Sequence, residues 1–447
     1  MIAIVALAAT GSTVAVTAAS AEQPRRGEPR PIVFVHGSGG SGAQFESQAM
    51  RFASNGYPAD RLHAYEYDST FGLNTIDQVY AGIDELVTSV LASTGADRVD
   101  LIGHSLGTFV LQAYLASSPE RAARAAHYVN LDGRTALAPP AGVPTLAVWG
   151  EGDPARQIAG AQNHYAPDQS HVQVATSPET FAVTYEFLNG RAPRTTDVVP
   201  ERPERVRISG RAQLFPSNQG ADGSTLDIWL VDRSTGRRIG TSPRATFAIG
   251  PDGGWGPFEA HGRKRYELAL RRDDGASTQH FYFQPFMRSD HLVRLLTSEP
   301  GTGIDLLRDR NETTTSLNIT RYKEWWGDKG DENDVLQIAG EDVVTPAIAP
   351  AAKRVNALFV FDDGLDGVSD LSAPIADLFA LPFVSGADLV VPAGSPPSGS
   401  VAVKMVARAG DGEPEVINVP NWPSATDHVS VQFRDFEQDD ETWPLRH

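Results

Sequence analysis

Residues 99–117 read VDLIGHSLGTFVLQAYLAS, an apolar run that turns abruptly and continues as a second apolar run. The residues over 99–102 are typical of a buried β-strand, whereas those over 108–116 favour a helix. Between them, Ser105 is enclosed in the turn Gly-His-Ser-Leu-Gly (103–107). A turn that only reversed the chain would not need a serine between two glycines. The stretch therefore predicts a strand-to-helix turn that presents the Ser105 side chain.

The segment around this turn alternates between strand-like and helical patterns. Over residues 31–188, short apolar runs end at glycine or polar turns and are separated by residues at helical spacing. This alternation is typical of a parallel sheet covered by helices on both faces. The strand-like runs are PIVFVHG (31–37), LHAYEYD (62–68), VDLIGHS (99–105), HYVNLDG (127–133) and PTLAVWG (144–150), and the clearest helical spacing lies over 76–91.

The chain changes character after residue 194. Beyond a segment rich in Pro and Arg, strand-like runs are separated by Gly, Pro, Asp and Ser, with helical spacing only near HLVRLL (291–296). This pattern is typical of sandwiches or barrels. We therefore predict an α/β domain over 22–194, a linker over 195–206, and two mostly β modules over 207–300 and 301–447.

Composition excludes several functional classes. With 38 Lys and Arg against 56 Asp and Glu, the net charge of −18 argues against nucleic acid or an anionic membrane surface as partner. The chain has no cysteine, which excludes disulfides, thiolate metal sites and a cysteine nucleophile. Residues 1–21 are apolar and small and end in Ala-Ser-Ala, so we predict a signal peptide and a secreted protein. No other apolar run approaches the ~20 residues of a membrane-spanning helix.

The turn around Ser105 fits the nucleophile elbow of α/β hydrolases, in which the helix that follows stabilises developing negative charge. Serine alone is a poor nucleophile and needs a histidine base and an orienting acid. His171 is the candidate base, because it precedes Ser177 and Pro178, which mark the start of the last helix. Two other histidines follow the serine in this domain, His127 and His164, and both are interpreted as structural or surface residues.

Two aspartates are candidates for the acid. Asp153 follows the next-to-last strand, which is the usual position in this fold, and Asp132 follows the strand before it. The segment from Asp153 to His171 is short for a helix-and-strand crossover, which weakens Asp153 without excluding it. The oxyanion hole needs one backbone N–H after the nucleophile, from Leu106, and one from the loop after the first strand, from Ser38.

These motifs resemble a family of secreted lipases in which an α/β-hydrolase domain is followed by a C-terminal β-barrel region, and which has an archaeal long-chain member. The resemblance extends from about Pro31 to Phe436. It rests on FVHGSGGSGAQFESQAMRFASNGYPA (34–59), VDLIGHSLGTF (99–109), YVNLDG (128–133), HVQVATSPETFAVTYEFLNG (171–190), TRYKE (320–324), VFDDGLDGVSDL (360–371), SGADLVVPA (385–393) and VQF (431–433).

The resemblance implies Asp132 as the acid, His171 as the base, and Ser38 and Leu106 as oxyanion donors. The archaeal member carries a long lid insertion, whereas YEYDSTFGLNTIDQVYAGIDEL (65–86) passes here from strand to helix with only about eight residues between, too few for a helical lid. The sequence thus predicts a secreted serine ester hydrolase without an organic cofactor, most simply a lipase acting on long-chain esters. Alternatives are a short-chain esterase, a thioesterase, a polyester depolymerase, or a non-catalytic surface-binding protein on the same scaffold.

A second motif, DDGLDGVSD (362–370), is similar to a calcium-binding loop. Carboxylates stand at its first, fifth and ninth positions, and glycine stands at the sixth. Asp362, Asp366 and Asp370 are therefore candidate Ca²⁺ ligands. The alternative interpretation is a turn rich in Asp and Gly.

Overall fold

A parallel sheet forms the centre of the N-terminal part of the chain. The computed structural model describes residues 28–273, 275–408 and 412–436, so the predicted signal peptide lies outside the described residues. The strands of this sheet are β1 (Ile32–Val35), β2 (Leu62–Tyr65), β3 (Val99–His104), β4 (Ala125–Leu131), β5 (Thr145–Trp149) and β6 (Gln162–Tyr165). Its helices are α1 (Glu46–Ser54), α2 (Ile76–Thr94), α3 (Leu106–Ser117), α4 (Pro119–Arg124), α5 (Gln173–Thr176) and α6 (Pro178–Asn189).

The strand order is β2-β1-β3-β4-β5-β6, and every neighbouring pair is parallel. Alternate residues of β1 belong to different cores: Val33 and Val35 pack with the helices on one face, and Ile32 and Phe34 pack on the other. The predicted α/β-hydrolase sheet, covered on both faces, is therefore confirmed.

Local sequence determines where the last helix of this domain begins and ends. The Ser177 hydroxyl accepts a hydrogen bond from the Thr180 N–H, Pro178 is the first helical residue, and Gly190 ends the helix in the left-handed conformation. The same start was expected from the sequence. It matters for the site because α6 follows directly on the loop that carries His171.

The remainder of the described chain, the β region, is mostly β structure, as predicted. It contains the short α-helix α7 (Ala376–Phe379) and several single 3-10 turns. The strands are β7 (Arg207–Phe215), β8 (Gln219–Gly220), β9 (Thr225–Val231), β10 (Ala245–Ala248), β11 (Gly254–Glu259), β12 (Arg265–Arg271), β13 (Thr278–Phe283), β14 (Asp290–Ser298), β15 (Leu317–Trp325), β16 (Val335–Ile338), β17 (Glu341–Asp342), β18 (Val355–Phe361), β19 (Val384–Asp388), β20 (Ser400–Val406), β21 (Glu415–Pro420) and β22 (Asp427–Gln432).

These strands form three sheets. An eight-stranded sheet has the order β10-β9-β12-β13-β22-β15-β18-β19, a second sheet has the order β11-β7-β14 with β8 beside β7, and a third has the order β17-β16-β20-β21. Strand β13 pairs in parallel with β22 over residues 278–283 and 427–432. The large sheet therefore joins strands from both sides of residue 300 into one continuous surface.

The helical spacing near HLVRLL is wrong as a prediction, because these residues lie in strand β14. Leu292 packs into the core of the α/β domain, while Val293 and Leu295 pack into the β region. A strand buried on both faces carries apolar residues at consecutive positions, which hides the two-residue period of a half-buried strand. Strand β14 thus packs between the α/β domain and the β region and contributes side chains to the core of each.

A buried histidine holds the pairing of β13 with β22. His280 contacts Glu267 through Nδ1 at 2.6 Å and Asp427 through Nε2 at 2.8 Å, and its ring stacks on Trp422 at 4.2 Å. Arg238 bonds the same Glu267 carboxylate. Burial would lower the pKa of His280, but its bonds to the two carboxylates outweigh burial and raise it above 6.5.

His280→Gln is expected to destabilise the protein by about 2 kcal/mol near pH 6, because a charged hydrogen-bonded group is lost. A histidine with a raised pKa in the folded state contributes fully below the unfolded pKa of ~6.5 and loses that contribution as pH rises through the folded pKa. The destabilisation, measured by urea unfolding, should shrink at alkaline pH. His164→Gln on the edge strand β6 is the control, and an equal loss at all pH values would contradict the prediction.

Candidate active site

Ser105 sits in a strained turn between β3 and α3. Its backbone has φ 52° and ψ −120°, and positive φ is rare for a residue with a side chain. Such strain persists only where the surrounding structure enforces it, and it is concentrated at functional sites. The turn places the serine at the carboxyl end of the central strand and at the N-terminus of α3.

Close backbone approach explains the glycines around this serine. A Cβ on Gly107 would lie 2.1 Å from the carbonyl oxygen of Val35, and a Cβ on Gly37 would lie 2.9 Å from the Ser105 Cβ. Either substituent would force the loop after β1 away from the serine. The two glycines therefore keep the Ser38 segment next to Ser105, where an oxyanion donor has to be.

His171 and Asp132 are brought together from different loops. Asp132 directly follows β4, His171 precedes α5, and the His171 Nδ1 lies 2.6 Å from the Asp132 Oδ2. The other carboxylate oxygen accepts hydrogen bonds from the Gly150 N–H at 2.9 Å and from the Arg156 Nη1 at 2.8 Å. Burial would raise the pKa of Asp132, but the bond to His171, the Gly150 N–H and the Arg156 charge outweigh it and hold the pKa below 3.8.

The rival residues lie apart from this pair. Asp153 is exposed, and its carboxylate accepts the Ala155 N–H of its own turn. His127 bonds Asp100 at 2.8 Å, and His164 lies in the edge strand β6. Of the two candidate aspartates, Asp132 is the one in contact with His171.

His104 is a neighbour of the site that the sequence did not single out. Its Nε2 donates to the carbonyl oxygen of His171 at 2.9 Å, and the two rings lie 4.6 Å apart. Complete burial lowers the pKa of His104 to about 3, so the ring is neutral at physiological pH. A neutral His104 supports the backbone of His171 without adding a competing positive charge.

The β region clamps the loop that carries His171. Glu324, fully buried in β15, accepts the Val172 N–H at 2.7 Å and the Gln173 N–H at 3.3 Å, and it also bonds the Ser170 hydroxyl. Arg408 donates to the side chains of Ser170 and Gln173 at 3.2 and 3.0 Å. The backbone beside the histidine is therefore held by two side chains from outside the α/β domain.

A second contact from the β region reaches the loop after β1. Asn218, between β7 and β8, donates through its side-chain amide to the carbonyl oxygens of Gly40 at 2.8 Å and Tyr67 at 3.2 Å. The same amide lies 3.2 Å from the His36 Nε2. Because residues 37–40 line one side of the site, the β region holds the loop predicted to supply an oxyanion donor as well as the loop that carries His171.

Ser38, Ser105 and His171 line one cavity of ≈ 180 Å³. Both parts of the molecule contribute to its walls. The apolar lining includes Phe215, Phe281, Leu296, Ile304, Phe359 and Phe383, all from the β region. The side chains that could receive a substrate thus come mainly from the C-terminal part.

The candidate calcium ligands are not brought together as a metal site. The Asp366 and Asp370 carboxylates accept the backbone N–H groups of Val368 and Ser372, two residues on, in the manner of Asx turns, and the Asp362 carboxylate accepts the Gly367 N–H. Among residues 28–273, 275–408 and 412–436, no group of three or more His, Cys, Asp or Glu could hold a metal ion. Likewise, no helix in the described part of the chain is long and apolar enough to cross a membrane.

Arg156 donates to Asp132 Oδ1, the carboxylate oxygen that does not contact His171. Arg156→Gln is expected to shift the acidic limb of the kcat/KM profile to higher pH. The reason is that the substitution removes a positive charge next to Asp132, so that the carboxylate stabilises the imidazolium more strongly. The change in kcat should stay within about tenfold, since the guanidinium is partly exposed. A pH series on a soluble ester measures it. Arg156→Lys keeps the charge, so its acidic limb should lie close to that of the wild type. Identical profiles for all three proteins would contradict the prediction.

The parallel sheet and the strained serine turn at its centre define the chain as an α/β hydrolase. Residues 29–118 match the family model of class 2 lipases, and residues 204–300 match the lipase C-terminal domain. A further C-terminal domain model matches residues 303–437. Segments in both parts of the chain thus match lipase domain models, and the chain is a carboxylic ester hydrolase.

Solved structures with similar parts include other hydrolases. A gene product of Listeria innocua is 14% identical, with 38% of this chain and 97% of that chain covered and a TM-score of 0.29. Lipase B of Aspergillus fumigatus is 12% identical, with 39% and 57% covered and a TM-score of 0.30. A CIB-like hydrolase of Thermoplasma acidophilum is 18% identical, with 37% and 89% covered and a TM-score of 0.28.

Proposed function

We propose that the protein is a lipase that cleaves lipid esters through a Ser105-His171-Asp132 triad. The contact that carries the proposal is the 2.6 Å bond between His171 and Asp132, next to a serine held in a strained elbow. A bond from Asp132 to Nδ1 keeps a proton on that nitrogen and leaves Nε2 free to act as the base.

The reaction proceeds in two steps. Ser105 Oγ attacks the ester carbonyl carbon while His171 Nε2 takes the hydroxyl proton, and the N–H groups of Ser38 and Leu106 stabilise the oxyanion. The tetrahedral intermediate collapses, and His171 returns the proton to the leaving alcohol. Water, deprotonated by His171, then attacks the acyl-enzyme and releases the carboxylic acid and free Ser105. No organic cofactor takes part.

The cavity wall supports an acyl chain as the group that is bound. Apolar side chains of the β region line the cavity together with Ser105 and His171, where the acyl part of an ester would extend. The connection over 66–75 contains no helix, and Asp68 holds it through bonds to the Thr70 and Leu73 N–H groups. The proposed lipase therefore works without a helical lid.

A fluorophosphonate probe and a series of p-nitrophenyl esters test the proposal together. The protein should be labelled and should hydrolyse long-chain as well as short esters, and emulsified triacylglycerol should also be a substrate. Ser105→Ala should abolish both labelling and turnover. Activity confined to short soluble esters would make the protein an esterase, and labelling that survives in Ser105→Ala would disprove the assigned nucleophile.

Secretion belongs to the same proposal and rests on the composition of residues 1–21. Expression of the whole chain in a bacterium that secretes proteins should yield a culture-medium form that begins at Glu22. A protein that keeps residues 1–21 and remains inside the cells would contradict the proposed secretion.

A further inference from the structure

The cavity next to Ser105 continues along one face of the eight-stranded sheet. Side chains of a strand alternate between its two faces. In β22, Val429 and Val431 are in the core on one face, whereas His428, Ser430 and Gln432 line the cavity on the other. Gln432 is the end near the α/β domain, since its amide lies 3.5 Å from the Glu46 carboxylate. His428 is four residues away, or about 13 Å at ~3.3 Å per residue.

The face of the sheet that lines the cavity carries more polar side chains than the binding of an unsubstituted hydrocarbon chain would favour. Burying polar groups against a hydrocarbon leaves them without hydrogen-bond partners, which costs free energy. Asn318 on this face has a buried Oδ1 without a partner among the described residues. The polar side chains that line the cavity from the strands of this sheet are Gln279, Asn318, Thr320, Arg321, Tyr322, Asn356, His428, Ser430 and Gln432.

A buried guanidinium that is only partly neutralised, that of Arg308, lines the same cavity and acts electrostatically on His428, the residue of β22 farther from the α/β domain. Arg308 is 9% exposed and donates through Nη2 to the Asp305 carboxylate at 3.0 Å. Arg310 bonds the same carboxylate oxygen, so one negative charge faces two positive charges. The pKa of Arg308 is lowered to about 10 by burial, and the residue remains charged at neutral pH.

Two observations indicate that this positive charge lacks a ligand. The Nη1 of Arg308 is enclosed and has no hydrogen-bond partner among the described residues. His428 in the same cavity is neutral, because burial and the charges of Arg308 and Arg310 lower its pKa well below 6.5. A buried donor left unpaired costs about 1–3 kcal/mol, which an acceptor on a bound molecule would recover.

We propose that Arg308 binds a carboxylate at the distal end of the acyl chain, so that preferred substrates are esters of acids that carry a second carboxyl group. The inference rests on the proposed function, because it assigns a further residue of the same cavity. A guanidinium matches a carboxylate with paired N–H···O bonds. The polar face of the sheet and the apolar side chains opposite it would line the chain between the ester and this carboxylate.

Paired substrates test the proposal. The p-nitrophenyl half-esters of succinic, adipic, sebacic and hexadecanedioic acid are compared with the p-nitrophenyl esters of butanoic, hexanoic, decanoic and hexadecanoic acid. At one chain length or more, kcat/KM should be at least about tenfold higher for the half-ester. In Arg308→Gln this ratio should fall about tenfold, whereas Arg310→Gln, which removes a guanidinium that does not line the cavity, should keep most of it.

A wild-type enzyme that prefers the methyl-ended ester at every length would overturn the proposal, as would an Arg308→Gln variant with the wild-type ratio. Should that variant not fold, inhibition of the wild type decides: sebacate should compete with a neutral ester more strongly than decanoate, and the reverse order would refute the carboxylate site. Failure of the triad proposal looks different, since no ester of either series would then be hydrolysed and Ser105 would not be labelled.

Discussion

Asp132→Asn is expected to lower kcat about 10⁴-fold, the largest effect of any conservative change at the site. The carboxylate oxygen that accepts the Gly150 N–H and the Arg156 Nη1 has to remain an acceptor. An asparagine would therefore direct its carbonyl oxygen toward these two donors and its NH₂ toward the Nδ1 of His171. The imidazole would then carry its proton on Nε2, which is the wrong tautomer for taking the proton of Ser105.

Steady-state kinetics on a soluble ester measure this loss, and Asp153→Asn is the matched control. Asp153 is exposed and bonds only its own turn among the contacts described, so its variant should keep kcat within about twofold of the wild type. Circular dichroism and unfolding of both variants show whether the folds are intact. A large loss in Asp153→Asn with near-normal activity in Asp132→Asn would assign the acid to the other residue.

Glu324→Ala is expected to lower kcat about 100-fold with a smaller change in KM. The carboxylate accepts two backbone N–H groups and a hydroxyl on the loop beside His171, and the two buried N–H groups would be left without their acceptor. A catalytic histidine displaced by about 1 Å can cost a factor of 10². Glu324 acts through this loop and so is a positioning residue.

A merely structural role for Glu324 would affect stability and leave turnover of the folded enzyme unchanged. The readouts are therefore kcat well below the unfolding midpoint and the rate of fluorophosphonate labelling of Ser105. Glu324→Gln retains one acceptor oxygen and should recover part of the loss in both. Glu341→Ala, at an exposed position in β17, is the control. Wild-type kcat in a folded Glu324→Ala protein would disprove the positioning role.

Most of the α/β domain could be predicted from local patterns, with one strand missed. Strand β6 is short and polar, and its residues are exposed or half-buried at the edge of the sheet. An edge strand is held by backbone hydrogen bonds to β5 and needs no apolar side chains. Hydrophobic periodicity therefore carries no signal for it, and the segment between Asp153 and His171 was interpreted only as short for a crossover made of a helix and a strand.

The residues that surround the site were harder to predict than those expected within it. His104 stands inside the GHSLG motif, but its contact with His171 joins two loops that are distant in sequence. Arg156, Asn218 and Glu324 approach from three other segments. The TRYKE motif that contains Glu324 was part of the resemblance, yet its residues suggested no role, because a buried carboxylate in a strand has no local pattern that reveals its partners.

The sequence by itself determined the hydrolase fold, the serine in its turn, the histidine before the last helix, and the β character of the C-terminal part. These features depend on contacts between neighbours in the chain: strand and helix periodicity, helix caps, and glycines at a crowded turn. Only the tertiary structure decided how the β region holds both loops of the site and forms the cavity that Arg308 helps to line. Those contacts join residues up to hundreds of positions apart, and they arise from packing that no local pattern encodes.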